Sequence, residues 1–303
     1  MRAAGDNHKM DWDKLRIFHA VAEAGSFTHA GDSLNLSQSA VSRQISALEE
    51  ALQVPLFHRH ARGLILTEQG ETLNQTVREV FSKLEMTQVL LTESKERAAG
   101  RLRVTTTTGF GTCWLMPRLH RFLEANPEIS ITLILEDNDL DLGMREADVA
   151  VRMHPPRQPD LIQRHLADFK LSIYAAPSYI ERNGIPTGTD DINKHTFVAF
   201  GGYHAPVPQI NWLLETDMES GTRRAARLEV NSMAAMSEAI AAGLGIGSIP
   251  DYAAAAYPEL VKILPNLNSP TVEAYFVYPE ELRSSKRVSV FRDFLTSELG
   301  LRS

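Results

Sequence analysis

The chain has 303 residues, a single cysteine and a formal charge of -7, from 31 Lys and Arg against 38 Asp and Glu. That length allows two or three domains with separate cores, the lone Cys113 excludes an intramolecular disulfide and favours a reducing compartment, and no uninterrupted apolar run reaches the roughly 18 residues of a membrane span. The net acidity speaks against nucleic acid, and residues 1–70 do not reverse it, with 7 Lys and Arg against 8 Asp and Glu. Any DNA-binding surface must therefore rest on where charges sit, not on their sum. The opening MRAAGDNHKMDWDK has no apolar signal region, so a cytoplasmic protein with no membrane partner is expected.

Residues 11–24 place Leu15, Phe18 and Val21 or Ala22 on one helical face and stop at Gly25. A second helix follows Ser26 and runs to about Leu34; after the turn Asn35-Leu36-Ser37 a third begins, with Ser37 as its N-cap. In that third helix Val41, Ile45, Leu48 and Leu52 form an apolar stripe, while Gln38, Ser39, Ser42, Arg43 and Ser46 take the opposite side. Two short helices joined by a tight turn, the second with a polar face, predict a helix-turn-helix. The stretch LFHRHARGLILT then reads as a hairpin, with strands Leu56 to Arg59 and Leu64 to Leu66 about a turn at His60 to Gly63. Thr67 is the expected N-cap of a long helix to about residue 98, whose Leu73, Val77, Val80, Leu84 and Leu91 lie near heptad spacing and suggest dimerisation.

From Gly100 the pattern alternates. RLRVTTT, ISITLILE and ADVAVRM read as strands, with the helix CWLMPRLHRFLEA between the first two, ended before Asn126-Pro127. KLSIYAA, HTFVAF, ARLEV, the helix SMAAMSEAIAAG and LGIGSI form a second set, and EAYFVY with a closing helix at about 285–299 brings the chain back. Such alternation predicts parallel-rich α/β subdomains with sites at strand ends.

The segment from GSFTHAGDSLNLSQSAVSRQI through LFHRHARGLILTEQGE resembles the N-terminal winged helix-turn-helix of the LysR-type transcriptional regulators. PRLHRFLEANPEI, ADVAVRM, YAAPSYI and AGLGIGSIP resemble that family's effector-binding domain, and the likeness runs from about residue 11 to 299. It implies an α/β protein overall, with a winged helix-turn-helix at 10–67, a linker and dimerisation helix at 68–98, and a two-lobed, periplasmic-binding-protein-like α/β effector domain at 99–303. Lobe I would take about 99–170 and 271–303, and lobe II about 171–270. Two positions depart from the family: Ser39 stands where proline is frequent, and Gly31 where a second alanine is, at about 1 kcal/mol of helix propensity.

A recognition helix presents its first turn to base edges in the major groove. Gln38 there can pair with adenine, Arg43 with guanine or a phosphate, and the hydroxyls of Ser37, Ser39 and Ser42 suit either; for an isolated helix the same face would simply be solvated. In the hairpin, Arg59 and Arg62 stand three apart, and the resemblance implies that the tip arginine enters the minor groove. His58 and His60 flank Arg59 without further ligands at metal spacing, so no metal and no cofactor are expected.

The stretch TTTTGFGTC, residues 105–113, ends a strand in hydroxyls and glycines just before a helix, a setting that can hold a small polar or anionic ligand. Carried over from the resemblance, the effector site takes Thr106, Thr107, Thr108, Glu136 and Arg152 from one lobe and Phe200, Asn231 and Ser232 from the other. Threonine also forms strands well, and Asn231 or Ser232 could simply cap a helix. Arg152 suits a carboxylate, yet Glu136 and Asp137 nearby argue against assuming an anion. Cys113, near a helix N-terminus, is either an oxidisable thiol or a small buried side chain beside Trp114.

The expected partners are double-stranded promoter DNA, a small-molecule effector and a second copy of the chain, with a tetramer favoured by the resemblance and RNA polymerase left open. An enzyme is the competing class, but GxSxG, Walker, HExxH and complete GxGxxG patterns are missing, and GFG at 109–111 is weak alone. A solute-binding transport component fits the C-terminal fold and fails on the DNA-reading segment.

Overall fold

The computed structural model describes residues 11–60, 63–92, 97–155, 158, 161–202, 205, 207, 209–219 and 221–300. They fall into two compact units, Met1–Leu91 and Thr92–Ser303.

In the first unit α1 (Trp12–Ala24) starts at Asp11, whose carboxylate accepts from Asp13 N–H, and α2 (Phe27–Leu34) is capped by Ser26. The α3 helix (Gln38–Leu52) follows, and its Val41, Ile45 and Leu48 are buried in one core with Phe18, Val21 and Ala30. Gly31 explains its own departure from the family pattern. A Cβ there would lie 2.6 Å from the Leu36 carbonyl oxygen, and Leu36 N–H donates to the Gly31 carbonyl at 2.9 Å. The turn between α2 and α3 packs closely against residue 31, a fit that a missing side chain eases and that offsets the lower helix propensity.

Strands β1 (Phe57–His60) and β2 (Gly63–Leu66) pair antiparallel, with His58 opposite Ile65 and Arg59 opposite Leu64. This wing is tied to α3 by Glu49, whose Oε1 accepts from Leu56 N–H at 2.7 Å and Phe57 N–H at 3.3 Å. Thr67 caps α4 (Glu68–Thr92) by accepting from Gly70 N–H, and its hydroxyl also donates to the Pro55 carbonyl. The expected extension of this helix to 98 is not seen: residues 97–99 are not helical, and 93–96 lie outside the described residues. Leu73 and Val77 pack into the unit's own core, leaving Val80 and Leu84 exposed on α4.

The second unit begins with β3 (Gly100–Thr106), a short helix α5 (Thr108–Phe110), a π turn at Gly111–Leu115 and α6 (Met116–Ala125). Strands β4 (Ile129–Leu135) and β5 (Val149–Arg152) flank β3 in parallel. Then comes β6 (Leu161–Ala175), a strand of 15 residues of which the sequence showed only the last part. Beyond it lie α7 (Pro177–Asn183), α8 (Thr189–Ile192), β7 (Val198–Phe200), α9 (Trp212–Glu215), β8 (Leu228–Val230), α10 (Met233–Ala241), β9 (Gly247–Pro250), α11 (Asp251–Ala254) and β10 (Val261–Ile263). The chain returns through β11 (Thr271–Pro279) to α12 (Lys286–Glu298), whose Phe291 packs on Phe122 and Phe276.

The large sheet runs β10-β6-β11-β5-β3-β4, with β9 also paired to β6. It is mixed rather than parallel-rich, because β6 pairs antiparallel with β11 along Leu161–Lys170 and with β9 and β10 thereafter. One strand thus passes from the first lobe into the second. The sheet sets Phe169 edge-on to Tyr252 of α11 and tilted against Phe110 of α5, an aromatic seam where the lobes meet.

Candidate functional site

On α3, Ser37, Gln38, Ser39 and Arg43 are exposed and Ser42 is half-buried, opposite the buried stripe. Ser37 spends its hydroxyl locally: it accepts from Ala40 N–H at 3.2 Å and lies 3.1 Å from the Ser39 hydroxyl. Gln38 and Arg43 make no side-chain hydrogen bond or ion pair among the described residues, which leaves their donors and acceptors open to an outside partner. Arg59 belongs to β1 through its backbone; Arg62 lies outside the described residues. Sequence reasoning missed Glu49, the residue that fixes the wing to the reading helix, because a Glu in Leu48-Glu49-Glu50 looks like any solvated helix position.

In the second unit, the parallel register places Thr106 beside Val151 and Leu135, so that Arg152, Thr107 and Glu136 follow at three neighbouring strand ends. Thr106, Thr107, Glu136 and Arg152 line one cavity of about 10 Å³, together with Asp137, Asp139 and His154. Several of the expected hydroxyls are already engaged. Thr106 Oγ1 donates to the Val151 carbonyl at 2.9 Å, and Thr107 Oγ1 caps α5 by accepting from Phe110 N–H. Thr108 N–H donates to Asp137 Oδ1 at 2.9 Å.

Arg152 is 4% exposed. Its Nη2 donates to the Leu140 carbonyl at 2.8 Å and to Gln158 at 3.2 Å, and its Nε pairs with Asp139 at 3.2 Å. Neither Nη1 nor Nε has a hydrogen-bond partner among the described residues, Nε being within ion-pair distance of Asp139 without hydrogen-bond geometry. Burial pulls the guanidinium's pKa down, while Asp139 and Asp141 oppose the shift. Asp139 also holds His154, 3.4 Å away, and its hydrogen bond pushes that imidazole above its ordinary range.

From the second lobe, Ser232 caps α10 by accepting from Ala235 N–H, and Asn231 is exposed just before it. Gly109 makes the junction: a Cβ there would lie 2.6 Å from Met233 Cβ, so α5 and the start of α10 touch across a glycine. Phe200 is not brought into this group. Its ring is 4% exposed, and its backbone N–H and carbonyl are both bonded to Asn211. A larger groove of about 480 Å³, between residues 185–188 and 261–267, is lined by none of the effector candidates. Cys113 is partly buried in the π turn, and burial pushes its thiol pKa up, opposite to the activation a helix N-terminus would give.

No helix among the described residues is long and apolar enough to cross a membrane. Residues 12–71 match the bacterial regulatory helix-turn-helix protein model of the lysR family, and residues 95–300 match the LysR substrate binding domain. The HTH-type transcriptional regulator YhjC of Escherichia coli K12 is 31% identical over 293 residues, covering 93% of this chain and 95% of that protein. CrgA of Neisseria meningitidis is 27% identical over 296 residues, covering 96% and 98%. Its solved structure aligns with a TM-score of 0.61 over 96% of this chain and 99% of that one, at 26% identity. The full-length structure of AphB, a virulence activator of Vibrio cholerae, aligns at 0.61 over 95% and 99%, at 27% identity. These relatives are DNA-binding regulators rather than enzymes, and like them the chain couples a winged helix-turn-helix to a two-lobed effector-binding domain. It belongs to the LysR family of bacterial transcriptional regulators.

Proposed function

We propose that this regulator reads its operator through Gln38, Ser39, Ser42 and Arg43 of α3, with Ser37 setting the helix start and Arg59 and Arg62 of the wing supporting it on the DNA backbone or minor groove. The sorted face of α3 carries this reading: Val41, Ile45 and Leu48 are buried while Gln38 and Arg43 stand exposed and unpartnered. We divide the chain into a reading domain at 10–67, a linker at 68–98 whose helix is α4, and an effector domain at 99–303. The effector binds between the lobes at the strand ends, bordered by Thr106, Thr107, Thr108, Glu136, Arg152, Asn231 and Ser232, without Phe200.

Exposed Val80 and Leu84 on α4 support pairing of two linker helices. Two such dimers forming a tetramer, a cytoplasmic location and an action exerted on RNA polymerase at the promoter complete the reading. Arg43→Ala tests it on operator DNA recovered by sequencing what the protein binds in cells. A lost bidentate base contact of about 1–3 kcal/mol weakens operator binding roughly 5- to 150-fold while the circular dichroism spectrum stays unchanged. Equal affinity of variant and parent in a gel-shift titration rejects the assignment.

A further inference from the structure

Resting on the effector-site reading above, we infer that the effector is a small zwitterion of the amino-acid type, its carboxylate oxygen taken by Arg152 Nη1 and its ammonium by Glu136. Three observations point the same way.

The first is a buried donor left open. Arg152 is 4% exposed, its Nη2 donates to Leu140 and Gln158, its Nε has only an ion-pair contact with Asp139, and Nη1 has neither an ion pair nor a hydrogen bond among the described residues. A buried guanidinium N–H without an acceptor is costly, so an acceptor arriving there gains more than it would in water. The second is size. The cavity beside Arg152 holds about 10 Å³, enough for one oxygen-sized atom, so the rest of the ligand must lie outside it, over the strand ends.

The third is charge and spacing. Arg152 and Glu136 follow the paired residues Val151 and Leu135 on either side of β3, so two strand separations of about 4.8 Å part their backbones. Glu136 is exposed at the cavity's far side, whereas Asp137 is held by Thr108 and Asp139 by Arg152 and His154. Three carboxylates against one guanidinium and the His154 imidazole disfavour a simple anion, and a bare amine leaves Nη1 unmet. A molecule carrying both groups satisfies both ends.

The test is thermal stability of the full chain against the twenty common amino acids, their des-amino carboxylic acids and their des-carboxy amines. At least one amino acid should raise the melting temperature, with both truncated analogues bound about tenfold or more weaker. Glu136→Gln, an exposed change, should weaken that amino acid by a similar factor; Arg152→Gln should do the same, and if it fails to fold the Glu136 variant decides alone. A des-amino acid that binds as well as its parent, or a Glu136→Gln protein with unchanged affinity, overturns the zwitterion. A parallel series of dicarboxylates, aromatic acids and sugar phosphates separates the two readings. Stabilisation by one of these alone overturns the zwitterion and leaves the effector cleft standing, whereas no stabilisation by any compound overturns both.

Discussion

His154 sits just past β5, with Nε2 3.4 Å from Asp139 Oδ2 and Nδ1 3.1 Å from the Pro155 carbonyl. Its pKa is raised above the ordinary 6.5, first by the Asp139 hydrogen bond. A raised histidine gives stability that is complete below its unfolded value and lost as the pH climbs through its folded one. The melting temperature of the full chain should therefore fall as pH rises from about 6.5, and His154→Asn should flatten that part of the profile; a slope left intact in the variant assigns it to other groups. At this scale residue type was legible and engagement was not. The sequence marked Thr106, Thr107, Glu136 and Arg152 as a group, and they do share a cavity. That the hydroxyls of Thr106 and Thr107 are consumed by Val151 and Phe110 follows from tertiary contacts no spacing encodes.

Glu49 shows how an element can depend on its neighbour. The wing has only two short strands, which alone would be marginal in water. Two of its backbone N–H groups at residues 56 and 57 are answered by one α3 carboxylate. Glu49→Ala should cost about 1–3 kcal/mol of stability and also weaken operator binding, since the wing loses its tether; urea titration reads the first and gel shift the second, and an unchanged midpoint would show the tether to be idle. Helices α1 to α3 were legible almost to the residue, because Ser26 and Ser37 cap them and each buries one periodic stripe. The first two-thirds of β6 was not: Gln163, Arg164, His165, Asp168 and Lys170 break the apolar run that marks a buried strand, and pairing with β11 supplies what propensity does not.

For the whole molecule, the assembly proposed above turns on the helix α4. Leu73 and Val77 belong to the reading unit's core, so of the heptad positions with described side chains only Val80 and Leu84 remain for a partner, at 39% and 51% exposure. A Val80→Glu/Leu84→Glu protein should associate about tenfold or more weakly, since burying such side chains is worth about 1.5–3 kcal/mol each; light scattering across a dilution series measures this, and a parent-like mass at every concentration would move the interface elsewhere. The acidic total charge says nothing of this order, because the proposed reading surface consists of a few side chains on one helix and one hairpin.

The position of β11 also sets a sequence of events in time. It lies between β5 and β6, pairing Tyr275 with Arg152 and Thr271 with Lys170, and so fills the middle of the large sheet with its last-made strand. During synthesis the first unit is complete long before, while the second waits with two inner strand edges open for on the order of ten seconds. Until residue 279 is made, the large sheet lacks the strand that joins β5 to β6, so the second unit cannot close while the first is already whole. A chain stopped in that interval keeps the core of its first unit whole and leaves β5 and β6 without the strand that joins them.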